Sequence, residues 1–216
     1  MPPGDQPLLV LGTHHFAPEL LDLISETPGF RVDGFVENVD RARTDLELEG
    51  LPVYWIDDVD HFATTHLAVC ALWTTTRSRL IEEAAGRGLR FVAIVHPSAR
   101  VSARSEFGEG SVASVNVVVA VNARIGRHVI LNRGATIGHD TVVGDYVTVG
   151  PGVNVAGLCS IGGGCYLGIG ATVVDRITIG AGSVVGAGAV VTKDIPPNVE
   201  VRGVPARVVR EGVEGR

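Results

Sequence analysis

The stretch VAVNARIGRHVILNRGATIGHDTVVGDYVTVGPGVNV, residues 119–155, has an aliphatic side chain at every sixth position. The same spacing runs in both directions, from residue 101 to residue 191, without an insertion. All sixteen positions are apolar, and fourteen are Val, Ile or Leu: Val101, Phe107, Ala113, Val119, Ile125, Leu131, Ile137, Val143, Val149, Val155, Ile161, Leu167, Val173, Ile179, Val185 and Val191. Glycine follows directly in nine of these repeats. Self-similarity of this kind is typical of a solenoid.

A six-residue period predicts a left-handed parallel β-helix. Each hexad supplies a short strand and a corner, and three hexads close one triangular coil. Branched side chains stack inside, and glycines relieve crowding at the turns. A coiled coil or a sandwich would show periods of 3.5 or 2 instead. Residues 18 apart are therefore expected to lie above one another on successive coils.

The first half of the chain alternates strand and helix patterns. Strands are predicted at residues 7–11, 30–36, 66–72 and 90–95, and helices at 17–25 and 75–86. Such alternation predicts an α/β domain with a small Rossmann-like parallel sheet. We therefore expect two domains, a substrate-binding domain at 1–95 and the β-helix at 96–216 with a short C-terminal tail.

Composition excludes several classes of protein. The net charge is −6 and no basic cluster is present, so nucleic acid is not an expected partner. No window approaches 18 consecutive apolar residues, and the first residues, Met1–Gln6, lack the pattern of a signal peptide. Cys70, Cys159 and Cys165 are odd in number and have no CxxC spacing, which indicates reduced thiols and a cytoplasmic location.

Four motifs accompany the repeat: 129–132 (VILN), 137–140 (IGHD), 151–157 (PGVNVAG) and 203–207 (GVPAR). Together they resemble the hexapeptide-repeat acyltransferases, and in particular the sugar acetyltransferases of the NeuD/PglD type. The resemblance implies an acetyl-CoA co-substrate, no metal, and a small-molecule acceptor bound by the N-terminal α/β domain. It also implies a homotrimer with active sites between neighbouring β-helices.

The resemblance assigns roles to particular residues. His139 matches the general base, and Asp140 matches the acid that orients or polarises it. Asn132 matches a polar residue beside the acceptor, and Gly157 matches a backbone donor near the thioester carbonyl. Imidazole suits this task because its ordinary pKa is close to neutrality.

On the donor side, Thr148 stands where relatives often carry a second histidine that faces the acyl donor. Arg207 lies in a region that borders the CoA nucleotide in similar enzymes, where a guanidinium meets phosphates. It is equally compatible with an ordinary solvated tail.

The expected substrate loop departs from the family pattern. Relatives open with a glycine-rich loop, whereas this chain has Gly12, Thr13, His14 and His15, followed by Phe16. The paired acids usual after the second strand are replaced by Glu37–Asn38. Relatives often show Gly-Asn-x-x-x-Arg where this chain has WTTTR at 73–77. We expect Gly12–His15, Glu37 and Asn38 to bind the acceptor. Because these segments depart from the family pattern, we expect that acceptor to be an unusual nucleotide sugar or not a nucleotide sugar.

The leading prediction is N-acetylation of a nucleotide-linked amino sugar by direct attack, with His139 as the base. Three alternatives are open. The chain is an O-acetyltransferase or an N-acyltransferase for a non-nucleotide sugar-like or specialised-metabolite acceptor, or it is a non-catalytic assembly subunit. A zinc site like that of β-helical carbonic anhydrases needs three histidines, whereas the predicted solenoid offers only His128 and His139. Cys159 and Cys165 are rival nucleophiles without an evident base.

Overall fold

Parallel strands dominate both parts of this chain. The computed structural model describes residues 5–216, so the prediction about a signal peptide falls partly outside the described residues. Residues 5–73 and 77–94 form one unit, and residues 74–76 and 95–216 form a second.

The first unit is a six-stranded sheet with two α-helices. Its elements are β1 (Gln6–Leu11), α1 (Phe16–Ser25), β2 (Phe30–Glu37), β3 (Glu47–Leu48), β4 (Leu51–Trp55), β5 (Leu67–Cys70), α2 (Ser78–Gly86) and β6 (Arg90–Phe91). Short 3₁₀ segments span Arg41–Asp45, Ile56–Phe62 and Thr75–Arg77. The sheet order is β3-β4-β2-β1-β5-β6, and only the β3–β4 pair is antiparallel.

Burial explains why these segments form these elements. The central strand β1 is inaccessible from Leu8 to Leu11, as expected for a parallel strand covered on both faces. Helix α1 buries Ala17, Leu20, Leu23 and Ile24, a spacing that places them on one face. Each such large side chain contributes about 1.5–3 kcal/mol on burial. Among the described residues, no helix is long and apolar enough to cross a membrane.

The α/β prediction is confirmed, with local differences. The strand predicted at 90–95 is divided into β6 and a separate short strand, Ile94–Val95, and the two-residue strand β3 was not predicted. Strand β4 was missed because Pro52 interrupts its pattern. The parallel ladder to β2 begins only at Val53, so the missing N–H of Pro52 costs no hydrogen bond there. The helix predicted at 75–86 begins at Ser78, after the 3₁₀ turn.

The second unit is the predicted left-handed β-helix. Its strands are two residues long up to β23: β7 (Ile94–Val95), β8 (Arg100–Val101), β9 (Glu106–Phe107), β10 (Val112–Ala113), β11 (Val118–Val119), β12 (Arg124–Ile125), β13 (Ile130–Leu131), β14 (Thr136–Ile137), β15 (Val142–Val143), β16 (Thr148–Val149), β17 (Asn154–Val155), β18 (Ser160–Ile161), β19 (Tyr166–Leu167), β20 (Thr172–Val173), β21 (Thr178–Ile179), β22 (Val184–Val185) and β23 (Val190–Val191). Strands β24 (Val199–Arg202) and β25 (Arg207–Glu211) close it with an antiparallel pair. Each short strand pairs in parallel with the strand three further along the chain, so that Ile137 lies beside Val155.

Two columns of side chains fill the interior. The first is the sixteen-residue column of the sequence pattern, buried throughout except at its first two members, Val101 and Phe107. The second starts two residues earlier in each hexad and was not predicted. Its members are Ser111, Val117, Ala123, Val129, Ala135, Thr141, Val147, Val153, Cys159, Cys165, Ala171, Ile177, Ser183, Ala189 and Ile195. The hydroxyls of this column bond to backbone, as Thr141 Oγ1 does to the Ala156 carbonyl at 3.0 Å.

The corners between the short strands require residues whose backbone φ is positive, in the left-handed region. Glycine fills many of these positions, but several carry larger residues, including Asn122 (φ 59°) and Asp140 (φ 56°). Asn and Asp tolerate this conformation better than most residues. These corners place side chains in vertical columns 18 residues apart, and one such column builds the candidate site.

Candidate active site

His139 and Asp140 occupy the corner between β14 and β15. The backbone N–H of Asp140 donates to the Val121 carbonyl at 3.1 Å, and the His139 carbonyl accepts from the Leu158 N–H at 2.8 Å. These bonds to the coils on either side hold the corner. The His139 side chain is 56% exposed, so its ring is accessible to a ligand.

The two side chains form a dyad. His139 Nδ1 lies 2.8 Å from Asp140 Oδ2. The hydrogen bond from Asn122, followed by the one from His139, holds the pKa of Asp140 below its usual value. An ionised carboxylate only accepts, so Nδ1 carries the proton and Nε2 presents its lone pair. The dyad therefore leaves Nε2 free to act as a base.

Gly157 lies directly against that nitrogen, one coil further along. A Cβ atom placed on Gly157 would be 2.6 Å from His139 Nε2 and within 2.9 Å of two ring carbons. Only glycine leaves room for the ring in this position. His139 Nε2 is therefore next to the backbone of Gly157, with no side chain from that residue between them.

The two solenoid cysteines are interior residues. Cys159 donates its Sγ–H to the Val174 carbonyl at 3.2 Å, and Cys165 donates to the Gly180 carbonyl at 3.1 Å. Burial raises the pKa of both thiols, to about 11 for Cys165. Thiolates are the nucleophilic form, so neither cysteine is suited to form an acyl-enzyme.

The structure also bears on the zinc alternative. Among residues 5–216, no group of three or more His, Cys, Asp or Glu side chains is placed to hold a metal ion. His128, the other solenoid histidine, is 5% exposed and stacks on Tyr146 with ring centroids 5.3 Å apart. That ring packs within its corner.

Three other predicted residues lie on other elements of the β-helix unit. Asn132, at the corner between β13 and β14, is 2% exposed, and its Oδ1 accepts from the Arg133 N–H at 2.6 Å. Thr148 is completely buried in β16, and its assignment to the acyl-donor side stays a prediction. Arg207 is exposed in β25 and donates to the Ala206 carbonyl at 2.8 Å.

The predicted substrate loop follows β1 in the first unit. Gly12 has φ +99°, and a Cβ there would lie 2.7 Å from Leu72 Cδ2, so glycine is required. Thr13 is buried, and its Oγ1 donates a short hydrogen bond to Glu37 Oε2. Arg43 Nη1 donates to both the carbonyl and the Oγ1 of Thr13, at 3.1 and 3.2 Å. The loop is therefore tied to the end of β2.

Glu37 is committed to its own chain. Its Oε1 accepts from the N–H groups of Asn38 (2.9 Å), Val39 (2.8 Å) and Asp40 (3.4 Å). Burial by itself would raise the pKa of Glu37, but the bonds from Thr13 and these backbone groups outweigh it and lower the pKa. With both oxygens engaged and 3% exposure, the carboxylate does not present a free acceptor to a ligand. Glu37 thus orders the loop, and its role in binding the substrate stays a prediction.

The remaining loop residues differ in accessibility. His14 and His15 are exposed at the start of α1, where both imidazoles face solvent. Asn38 is half-buried and donates from Nδ2 to Glu83 Oε2 at 3.0 Å. Phe16 packs edge-on against Trp73, with ring centroids 4.9 Å apart. His14 and His15 are thus the members of the predicted set best placed to meet an acceptor.

Known proteins share this architecture. Residues 122–157 and 158–193 match the family model for bacterial transferase hexapeptides (six repeats). A mutant of perosamine N-acetyltransferase from Caulobacter crescentus, solved with CoA and GDP-perosamine, is 30% identical, with a TM-score of 0.87 over 96% of this chain and 98% of that one. The chain belongs to the hexapeptide-repeat sugar acetyltransferases of the NeuD/PglD type.

Two further solved members of this acetyltransferase family are similar along their whole length. The acetyltransferase domain of PglB from Neisseria gonorrhoeae, in complex with acetyl coenzyme A, is 27% identical, with a TM-score of 0.87 over 95% of this chain and 100% of that one. WeeI from Acinetobacter baumannii is 29% identical, with a TM-score of 0.84 over 94% and 99%. A search of curated protein sequences returned no match.

Sequence reasoning missed two residues of the candidate site, Asn122 and Arg104. Asn122 Nδ2 donates to Asp140 Oδ1 at 2.9 Å, and Arg104 Nη2 donates to Asn122 Oδ1 at 3.1 Å. The signal that would have found them is the 18-residue register, since 104, 122 and 140 form one column. The repeat was used to align apolar positions but not polar ones.

Replacing Glu37 with alanine is expected to destabilise the first unit by about 2 kcal/mol, because its hydrogen-bond donors lose their acceptor. Urea unfolding of the full chain at pH 7 measures this. Because the pKa of Glu37 is lowered in the folded protein, its contribution to stability is complete above the ordinary carboxyl pKa of 4.5. The contribution is lost as the pH falls through the lower pKa of the folded state.

The matched control is Glu47→Ala, since Glu47 is exposed on the short strand β3 of the same unit. Its effect should stay within about 0.5 kcal/mol. Equal effects of the two variants would show that the hydrogen bonds of Glu37 contribute nothing special.

Proposed function

We propose that this chain is an acetyl-CoA-dependent N-acetyltransferase for the amino group of a nucleotide-linked amino sugar. The observation that carries the proposal is the dyad. Asp140 holds Nδ1 of His139, and Nε2 lies at 2.6 Å from the Cβ position that Gly157 leaves empty. Relatives similar over the whole chain support the substrate class, since perosamine N-acetyltransferase was solved with CoA and GDP-perosamine.

The mechanism is direct transfer in a ternary complex. The acceptor amine attacks the thioester carbonyl, and His139 Nε2 removes a proton from the nitrogen. The tetrahedral intermediate bears an oxyanion, which the Gly157 N–H stabilises. Collapse breaks the C–S bond, and the imidazolium returns its proton to the CoA sulfur. Asp140 stabilises the imidazolium while it exists.

The assembly and location complete the proposal. Three copies are expected to form a trimer, in which the exposed corner of His139 meets a neighbouring β-helix. We place the enzyme in the cytoplasm, in keeping with three buried cysteines that form no disulfide among the described residues. Arg207 is proposed to meet the CoA phosphates, and Asn132 the acceptor.

A second candidate acceptor is favoured by one observation. Glu37, at the carboxyl end of β2, has both carboxylate oxygens engaged by its own chain. In Rossmann-type domains an acid at this position binds the ribose hydroxyls of a nucleotide. A non-nucleotide amino or hydroxyl sugar is therefore the alternative.

The test is mass spectrometry after incubation with acetyl-CoA and a panel of acceptors. The panel contains GDP-linked and UDP-linked amino sugars, the corresponding free amino sugars, and their hydroxyl analogues. A mass gain of one acetyl group on a nucleotide amino sugar is the expected result. Gain only on a free sugar would favour the second candidate. No gain, together with no binding of acetyl-CoA in a titration, would favour a non-catalytic assembly subunit.

A further inference from the structure

We propose that Asn122 is a positioning residue for this reaction: its side-chain amide holds the Asp140 carboxylate in the orientation that receives Nδ1–H of His139. The proposal rests on the proposed function of His139 as the base. Its foundation is the corner column of Arg104, Asn122 and Asp140, which repeats at 18 residues. The three side chains join end to end, with His139 as the last member.

The chemistry of the neighbours fixes the direction of the Asn122 amide. Arg104 has only donors, so the atom 3.1 Å from its Nη2 is the amide oxygen. An ionised Asp140 has only acceptors, so the atom 2.9 Å from its Oδ1 is the amide nitrogen. If the amide were flipped, its NH₂ group would face the Arg104 donor and its oxygen would face the Asp140 carboxylate oxygen. The column therefore has one satisfied arrangement.

Each carboxylate oxygen of Asp140 then has one assigned partner. Oδ1 receives from Asn122, and Oδ2 receives from His139 at 2.8 Å. Asp140 is 43% exposed, and an exposed carboxylate without Asn122 is free to rotate. Rotation would release Nδ1 and let the ring adopt the other tautomer. Asn122 thus acts on the base through Asp140.

Two further charged residues lie beside this column. A pocket of about 430 Å³ is lined by Arg104, Asn122 and Asp140 together with Glu106 of β9 and Arg124 of β12, the strands that follow Arg104 and Asn122. The charges of Glu106 and Arg124 are opposite and lie at equivalent positions of paired strands. They do not replace the amide, which makes the direct contact with Asp140.

The competing interpretation is that Asn122 serves only the corner, because its φ of 59° suits Asn. Two substitutions separate the interpretations, since both Gly and Asp tolerate this conformation. Asn122→Gly removes the amide. Asn122→Asp keeps the shape and gains an ion pair with Arg104, but it sets a second carboxylate against Asp140.

Removal of a hydrogen-bond partner that orients a metal-bound histidine typically costs about 10–100-fold in metal affinity or activity. By analogy, we expect both variants to lower kcat by about tenfold, with KM for acetyl-CoA little changed. A purely structural role predicts wild-type kcat for Asn122→Asp, and that result would overturn the proposal. In an Asp140→Ala background, Asn122→Gly should change kcat by less than about twofold, because the route through Asp140 is already absent. The control is Asn116→Gly, an exposed left-handed corner Asn with φ 57°.

An NMR measurement tests the same step without an acceptor. In ¹⁵N-histidine-labelled protein, the His139 signal is identified by its loss in His139→Ala, and it should report the Nδ1–H tautomer when neutral. Asn122→Asp should shift it toward Nε2–H, and an unchanged tautomer would overturn the inference. Failure of the whole acceptor panel would instead overturn the proposed function, so the two failures are distinguishable.

Discussion

His139→Ala is expected to lower kcat by at least about a hundredfold, the low end of the contribution of a general base. The amine must lose a proton as it attacks, and His139 Nε2 is the atom nearest to the Cβ position at Gly157, 2.6 Å from it. KM for acetyl-CoA should change little, because the imidazole acts in the transition state. Release of the CoA thiol at saturating acceptor measures the effect.

The control for this variant is His61→Ala. His61 is exposed in the first unit, and its Nδ1 contacts only the Asp58 carbonyl among the described contacts, at 3.0 Å. Turnover by this variant should match the wild type. Near-normal turnover by His139→Ala would remove His139 from the mechanism and leave the fold assignment intact.

Gly157→Ala is expected to lower kcat by about a hundredfold while leaving the protein folded. The added methyl group would lie 2.6 Å from Nε2, 2.8 Å from Cε1 and 2.9 Å from Cδ2 of His139. These atoms are the end of an exposed side chain, so the ring swings away at little cost in stability. A displacement of about 1 Å at a reacting group costs about a hundredfold in rate. The loss should therefore appear in kcat, with an unchanged thermal midpoint.

A contrasting glycine separates catalysis from folding. A Cβ on Gly138 would lie 2.4 Å from the carbonyl carbon of Ala156 and 2.5 Å from the nitrogen of Gly157. These are backbone atoms of a paired coil and have no room to move, so Gly138→Ala should destabilise the β-helix itself. Wild-type kcat in Gly157→Ala would contradict the placement of the base; a lowered thermal midpoint in that variant would show that the ring is held more firmly than its exposure indicates.

Prediction from sequence succeeded where one local rule repeats. The column from Val101 to Val191 specified strands, corners and the 18-residue register, because each hexad meets the same constraint as its neighbours. That register also predicts that Gly157 lies over His139, since the two residues are 18 apart. The second interior column escaped notice because it mixes small apolar residues with Thr141, Ser183 and two cysteines. Their hydrogen bonds to backbone make these residues compatible with burial, and composition does not show such bonds.

The amino-acid sequence by itself determined the β-helix, the α/β class of the first unit and the family, since these depend on periodicity and on motifs read along the chain. Only the tertiary structure decided how polar groups are shared. It showed that both carboxylate oxygens of Glu37 accept hydrogen bonds from its own chain and that Thr148 is buried. It also showed that Asn122 donates a hydrogen bond to Asp140. Hydrogen-bonding capacity is limited and directional, so a side chain's role depends on which neighbours reach it first in space. The pattern of these hydrogen bonds does not repeat along the sequence, so it is known only from the positions of the side chains on the stacked coils.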